Sequence, residues 1–502
     1  METKIYDLVI KGGRVMDPET KLDAIRNVGV NGDKIEVITQ DDIKGKETID
    51  AKGLVVAPGF LDMHHHNTGT PFGEKLAMRD GVTTPMELEF GVTRVKEVYA
   101  SLEGKCRLNY AYSSGTVPAR EIILNPEYKS VFNGDFLYDI VADAKDAKTS
   151  MKWSKGHMTS EQDKEFEKLL CNGIEEGALG VGHPVGYMTA GCSQQNSITA
   201  QKVAGKYGMS TFVHGRFSGQ MPPTSGLLGF LEMLGPQEIY GGAIVFQHMH
   251  AQALADIKTA LDMFSAARKK GIKLIPEIYP YNYGATILGA DYLQPANYGP
   301  NMGRDYDGII RTADLKPYDK DTYEAGMKKN PMESVMFYNS TEEDMYYGLA
   351  HPESVIGSDA FVYTVRATGE TALSWDIPTD AVNGHPRGSG THALFLRLVR
   401  EKKVDIPLMT AISKMTNMIT DYLAENGVSQ MKQKGRIQVG KDADITIFDP
   451  ATVTDNSTMQ NGGLQSTGIP YVICNGTLVV KDSECVENVF PGKPIWGDAK
   501  KK

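Results

Sequence analysis

Residues 58–66 read Pro-Gly-Phe-Leu-Asp-Met-His-His-His, an apolar segment that ends on His64 and His66. Side chains two apart on a strand share a face, so these two imidazoles can reach one metal ion together. Imidazole is the commonest metal-binding side chain. Three later apolar runs finish on comparable residues. Met209–Val213 leads to His214, Ala243–Gln247 to His248, and Val355–Ser358 to Asp359. Each of these can bind a cation, and the carboxylate can also move a proton.

These side chains act together only if the fold brings four run ends to one place. A parallel barrel of alternating strands and helices does so, because the carboxyl ends of all its strands gather on one face. The predicted fold is therefore α/β, a (β/α)8 TIM-like barrel. Its helices are legible between the apolar runs: Ile257, Ala260, Leu261 and Phe264 recur at helical spacing within 256–270. The chain has 502 residues, enough for a barrel of about 250 residues or more and a smaller companion. The first 57 residues and those from 435 onward read as short strands and tight turns, with Asn31-Gly32 and Asn475-Gly476 as hairpin signals. The two ends are expected to pair as one small discontinuous β-sandwich. The boundaries are then 1–57 and 435–502 for the sandwich and 58–434 for the barrel. Segment 287–350 is rich in Tyr, Asp, Gly and Pro with weak periodicity, and is expected to be an insertion serving as a lid or an oligomer interface.

Several stretches carry a family resemblance. They are Glu175-Glu176-Gly177-Ala178-Leu179-Gly180, Gly186-Tyr187, His214-Gly215-Arg216, Tyr279-Pro280-Tyr281, Gly357-Ser358-Asp359 and His385-Pro386-Arg387. Towards the end come Lys434-Gly435-Arg436-Ile437, Gly440-Lys441-Asp442-Ala443-Asp444 and Phe448-Asp449-Pro450. Together they resemble the amidohydrolase superfamily, and within it the D-aminoacylase (N-acyl-D-amino-acid deacylase) branch. The resemblance implies that His64 and His66 hold one metal and that His214 and His248 hold a second. Asp359 would touch the first metal and act as general base. It implies one or two Zn2+ ions, Arg387 as the substrate-carboxylate ligand, and Tyr187 and Tyr281 as hydrogen-bond donors.

Two departures stand out. D-aminoacylases bridge their metals with a Cys in a Gly-Asn-Cys-Gly turn after the second strand, whereas here the stretch reads Met86-Glu87-Leu88-Glu89-Phe90-Gly91. Glu87 and Glu89 share a strand face, and a carboxylate can replace the thiolate. Glu89 is favoured as the bridge because it lies nearer the loop, with Glu87 as the alternative. The run Ala178–His183 contains no Lys for a carbamate. His250 stands where D-aminoacylases place a Lys, which opens the substrate contact to Arg216 or Arg366. His183 and His392 read as structural.

The formal net charge of −10 is spread along the chain, which argues against nucleic acid and anionic membranes as partners. Five cysteines at 106, 171, 192, 474 and 485 show no pairing motif and suit a reducing compartment. With no apolar stretch of about 18 residues, a cytoplasmic enzyme with a small-molecule substrate and no membrane span is expected, with homo-oligomerisation open. The expected activity is hydrolysis of N-acyl-D-amino acids or similar acylated amino acids. The alternatives are hydrolysis of a cyclic amide, dipeptide or other acylated amine, and an inactive barrel scaffold.

Overall fold

The computed structural model describes residues 4–126, 152–220 and 224–501. Eight parallel strands form its centre: β1 (Phe60–Asp62), β2 (Val82–Val92), β3 (Ala111–Gly115), β4 (Gly180–Pro184), β5 (Ser210–His214), β6 (Ala243–Phe246), β7 (Leu274–Ile278) and β8 (Val355–Ile356). Each pairs with the next in chain order. Between β8 and β1 the ring is nearly closed by a parallel bridge between His65 and Ala360, with the His66 N–H donating to Ala360 O at 2.9 Å. Continuously apolar strands are what a sheet covered on both faces requires. Every residue of β2 through β7 is buried.

Helices follow the strands and cover the barrel. The periodicity read at 256–270 is a helix over Ile257–Lys269, burying Ile257, Ala260, Leu261, Phe264 and Ala267. Its apolar stripe packs in the same core as Phe246 and Leu274.

The chain ends meet in one sheet of nine strands. Val55–Pro58, from before the barrel, lies between Ile5–Asp17 and Ile445–Phe448. Its core holds Ile10, Val28, Val56, Ile445 and Ile473. The long strand Ile5–Asp17 shifts register between Ile10 and Gly13. At Gly13 a Cβ would lie 2.4 Å from Val56 Cγ2, so the close approach of the two strands needs glycine there.

Segment 287–350 is structured. Tyr283–Ile287, Ile309–Arg311 and Ser334–Tyr338 form a three-stranded antiparallel sheet beside the barrel mouth. Among the described residues, no helix is long and apolar enough to cross a membrane. The five cysteines are unpaired.

Candidate metal centre

All six metal-ligand candidates converge at the carboxyl end of the barrel. Each is buried, and they form two groups that share Glu89: His64, His66, Glu89 and Asp359 in one, Glu89, His214 and His248 in the other. Glu89 turns one oxygen to each group. Its Oε2 lies 3.2 Å from both His64 Nε2 and His66 Nε2. Its Oε1 lies 3.1 Å from His214 Nδ1 and 3.3 Å from His248 Nε2. Asp359 Oδ1 is 3.2 Å from His64 Nε2 and 3.3 Å from His66 Nε2.

Local backbone geometry sets these directions. His64 and His66 share a face beyond β1, as their spacing requires. His248 and Asp359 take left-handed conformations, at φ 34° and 53°. Non-glycine residues rarely adopt them unless the surroundings over-determine the turn, and such positions cluster at functional sites. At the end of β5, His214 meets Gly186 from the turn after β4 so closely that a Cβ there would lie 2.4 Å from His214 Cδ2. The ring of His214 is held further by Tyr187, edge-on at 5.0 Å, and by Tyr292, stacked at 5.2 Å.

The outer nitrogens decide whether the donors suit a metal. His64 Nδ1 is 2.8 Å from Glu277 Oε2, and His66 Nδ1 is 2.7 Å from Glu87 Oε2. A carboxylate can only accept, so each Nδ1 carries the proton it donates. In the neutral ring the Nε2 lone pair then faces the oxygens of Glu89 and Asp359. Lone pair against anion is repulsive unless a cation lies between them. Carboxylates on the outer nitrogens of histidine ligands are a recurrent feature of metal sites. The donor set therefore fits a divalent cation, and imidazole with carboxylate suits zinc among others. The same crowding of negative charge governs protonation without metal. Burial disfavours His64's charged form, yet Asp359, Glu277 and Glu89 outweigh it and push the ring up to about 10. Burial and the neighbouring His214 take His248 the other way, to about 4.

Glu87 lies outside both groups. The register of β2 on β3 shifts after Glu87, and its Oε1 accepts the N–H groups of Phe90 and Gly91 at 3.0 and 3.4 Å. Its other oxygen orients His66. Glu277, absent from the sequence reading, does the same for His64. A lone carboxylate inside Leu274-Ile275-Pro276-Glu277-Ile278 was the available signal, since a buried charge needs a partner.

A narrow cleft opens over the centre. Arg387 and Tyr187 line it, with Tyr279, Tyr292 and Phe337 completing an aromatic wall. Arg387 Nη2 donates to Asp359 Oδ1 at 2.9 Å and Ala285 O at 3.0 Å. Its Nε has no partner among the described residues. Burial opposes ionisation of Asp359, but Arg387 and His64 outweigh it and hold the carboxyl below its ordinary range.

Other expected contacts lie elsewhere. Tyr281 is outside the cleft, where Tyr279 takes the place assigned to it. Its ring packs on His385 at 5.1 Å. Arg216 is also outside, because its guanidinium is committed to Glu232 at 2.7 Å and to the carbonyls of Thr189 and Cys192. Arg366 binds Asn383 and the Asp380 carbonyl on a distant loop. His250 does not line the cleft, since its Nε2 is turned to Tyr281 O at 3.1 Å. Burial keeps that ring neutral, with its pKa lowered to about 3. His183 lies between Thr116 and Ser197, and His392 is bonded to Asp80.

The chain is thus a nearly closed parallel barrel with paired histidines beyond its first strand and an aspartate beyond its last. No family model matches the chain. Along its length the chain resembles N-acyl-D-glutamate deacylase of Alcaligenes xylosoxydans xylosoxydans, at 25% identity over 527 residues, covering 99% of this chain and 98% of that one. D-aminoacylase of the same organism is 24% identical, covering 95% of each. Among solved structures, N-acyl-D-glutamate deacylase from Bordetella bronchiseptica, complexed with zinc and a phosphonate inhibitor, superposes with a TM-score of 0.77 at 21% identity, over 98% of this chain and 100% of that one.

Proposed function

We propose that the protein hydrolyses the amide bond of N-acyl-D-amino acids, or of closely similar acylated amino acids, with a metal-activated water. The observation that carries this reading is Glu89, whose two oxygens face two separate histidine pairs with Asp359 beside the first. The similarity to deacylases over nearly the full length supports the substrate class. When bound, one or two divalent cations, zinc being the best fit to these donors, would bring the pKa of a water to about 7 and polarise the scissile carbonyl.

The protein's own residues supply the rest. Asp359 is a general base kept ionised by Arg387, so it can take the proton of the attacking water and deliver it to the leaving amine nitrogen. Arg387 lines the cleft, keeps an Nε–H unpaired among the described residues, and can grip the substrate carboxylate with a fork-shaped cation. Tyr187, its hydroxyl 3.2 Å from Thr286 Oγ1, holds His214 in place and lines the path of the substrate. The aromatic wall excludes water from the reacting amide, which strengthens each charge interaction within.

The test is amine release from paired N-acetyl D- and L-amino acids by zinc-loaded enzyme. Turnover of the D-series alone is expected. No turnover of either series would overturn the reading.

A further inference from the structure

Gln252 lies in the short helix Met249–Ala253, directly after His248, and only 1% of it is exposed. Neither its Nε2 nor its Oε1 has a hydrogen-bond partner among the described residues. The side chain lines the cleft. It packs on the backbone of Gly215, where a Cβ would stand 2.9 Å from Oε1. The carboxamide is therefore wedged between the strand ends that carry His214 and His248. Leaving such a group buried and unpaired carries its full desolvation cost, which a ligand bonded to it would recover.

A carboxamide offers a donor and an acceptor side by side. Its complement is another neutral amide, which can satisfy both atoms. A carboxylate can use only the donor and sets its own oxygen against Oε1. The one guanidinium among the described cleft residues, Arg387, is already needed for the α-carboxylate and for Asp359.

Building on the deacylase reading, we propose that Gln252 determines side-chain specificity and selects an uncharged hydrogen-bonding side chain, above all a carboxamide, over a carboxylate. This separates the chain from the relatives named for D-glutamate.

The test compares kcat/KM of the zinc-loaded enzyme for N-acetyl-D-glutamine, the isosteric N-acetyl-D-glutamate, and N-acetyl-D-methionine. A hydrogen-bonding site rejects analogues that cannot satisfy it by far more than shape alone allows. The expected preference for the glutamine substrate over the glutamate one is about 100-fold or more. In Gln252→Met the glutamine-to-methionine ratio should fall about tenfold or more. Cleavage of the methionine substrate with a glutamine-to-glutamate ratio below about ten, or an unchanged ratio in Gln252→Met, overturns the inference and leaves the deacylase reading standing. Failure to cleave any of the three overturns that reading and the inference with it. If Gln252→Met does not fold, the wild-type ratio alone decides.

Discussion

The carboxylates behind the histidines hold the centre's finest balance. Glu277→Gln and Glu87→Gln keep side-chain volume but remove the anion that fixes each Nδ1 proton. Each should weaken metal binding about 10- to 100-fold, read by competition with a chelator. Asp359→Asn should bind metal at close to the wild-type level and lose nearly all amine release; full activity would exclude Asp359 as the base. At this scale the sequence was legible where an apolar run ends on a member of the two donor groups, as at His64, His66, His214, His248 and Asp359. It favoured Glu89 over Glu87, which share a strand face, only by nearness to the loop, because the register shift after Glu87 is set by β3. Arg216 and Tyr281 looked apt by type but lie outside the cleft. Spacing along the chain does not reveal that Glu232 meets Arg216, or that Tyr279 rather than Tyr281 points to the cleft.

Elements set how much room each ligand has. Gly186 lies in the 3-10 turn Val185–Met188, which crosses His214. Gly186→Ala should push that ring aside, so that metal bound per chain falls while the far-ultraviolet circular dichroism stays as in the wild type. In the helix Pro71–Arg79, the buried carboxyl of Glu74 accepts from the N–H groups of Arg107 and Leu108. Burial dominates and raises its pKa from 4.5 to about 7. An acid whose pKa is higher in the folded state adds stability below its unfolded pKa and loses it as pH rises through the folded one. Relative to Glu74→Gln, the wild type should therefore lose stability between pH 4.5 and about 7, as measured by urea unfolding at each pH. A constant difference across that window would refute the assignment. The helix at Ile257–Lys269 was readable because its packing is periodic. The insertion's part in the cleft was not, since Tyr292 arrives from a 3-10 turn and Phe337 from the middle strand of the small sheet, whose direction depends on the barrel.

For the whole molecule, the joint between barrel and terminal sheet is one buried polar cluster. Lys434 Nζ binds Asp444 at 2.7 Å and Asp442 at 3.0 Å. Asp444 also accepts from Asn109 and from the Asn475 N–H, while its carbonyl receives the Gly59 N–H at the entry to β1. Lys434→Met leaves the buried Asp444 without its cation and should cost about 3–5 kcal/mol, seen as a lower unfolding midpoint. That the two chain ends would meet was foreseeable from their shared β texture, but which strands pair is decided by packing across the molecule. The pairing of Val55–Pro58 with Ile445–Phe448 also sets a clock. The partners lie about 390 residues apart, so at about 5–20 residues per second a ribosome needs roughly 20–80 s to supply the second after the first. Throughout that wait the N-terminal strands have an unpaired edge, exposed to whatever chaperone or neighbouring chain reaches it first.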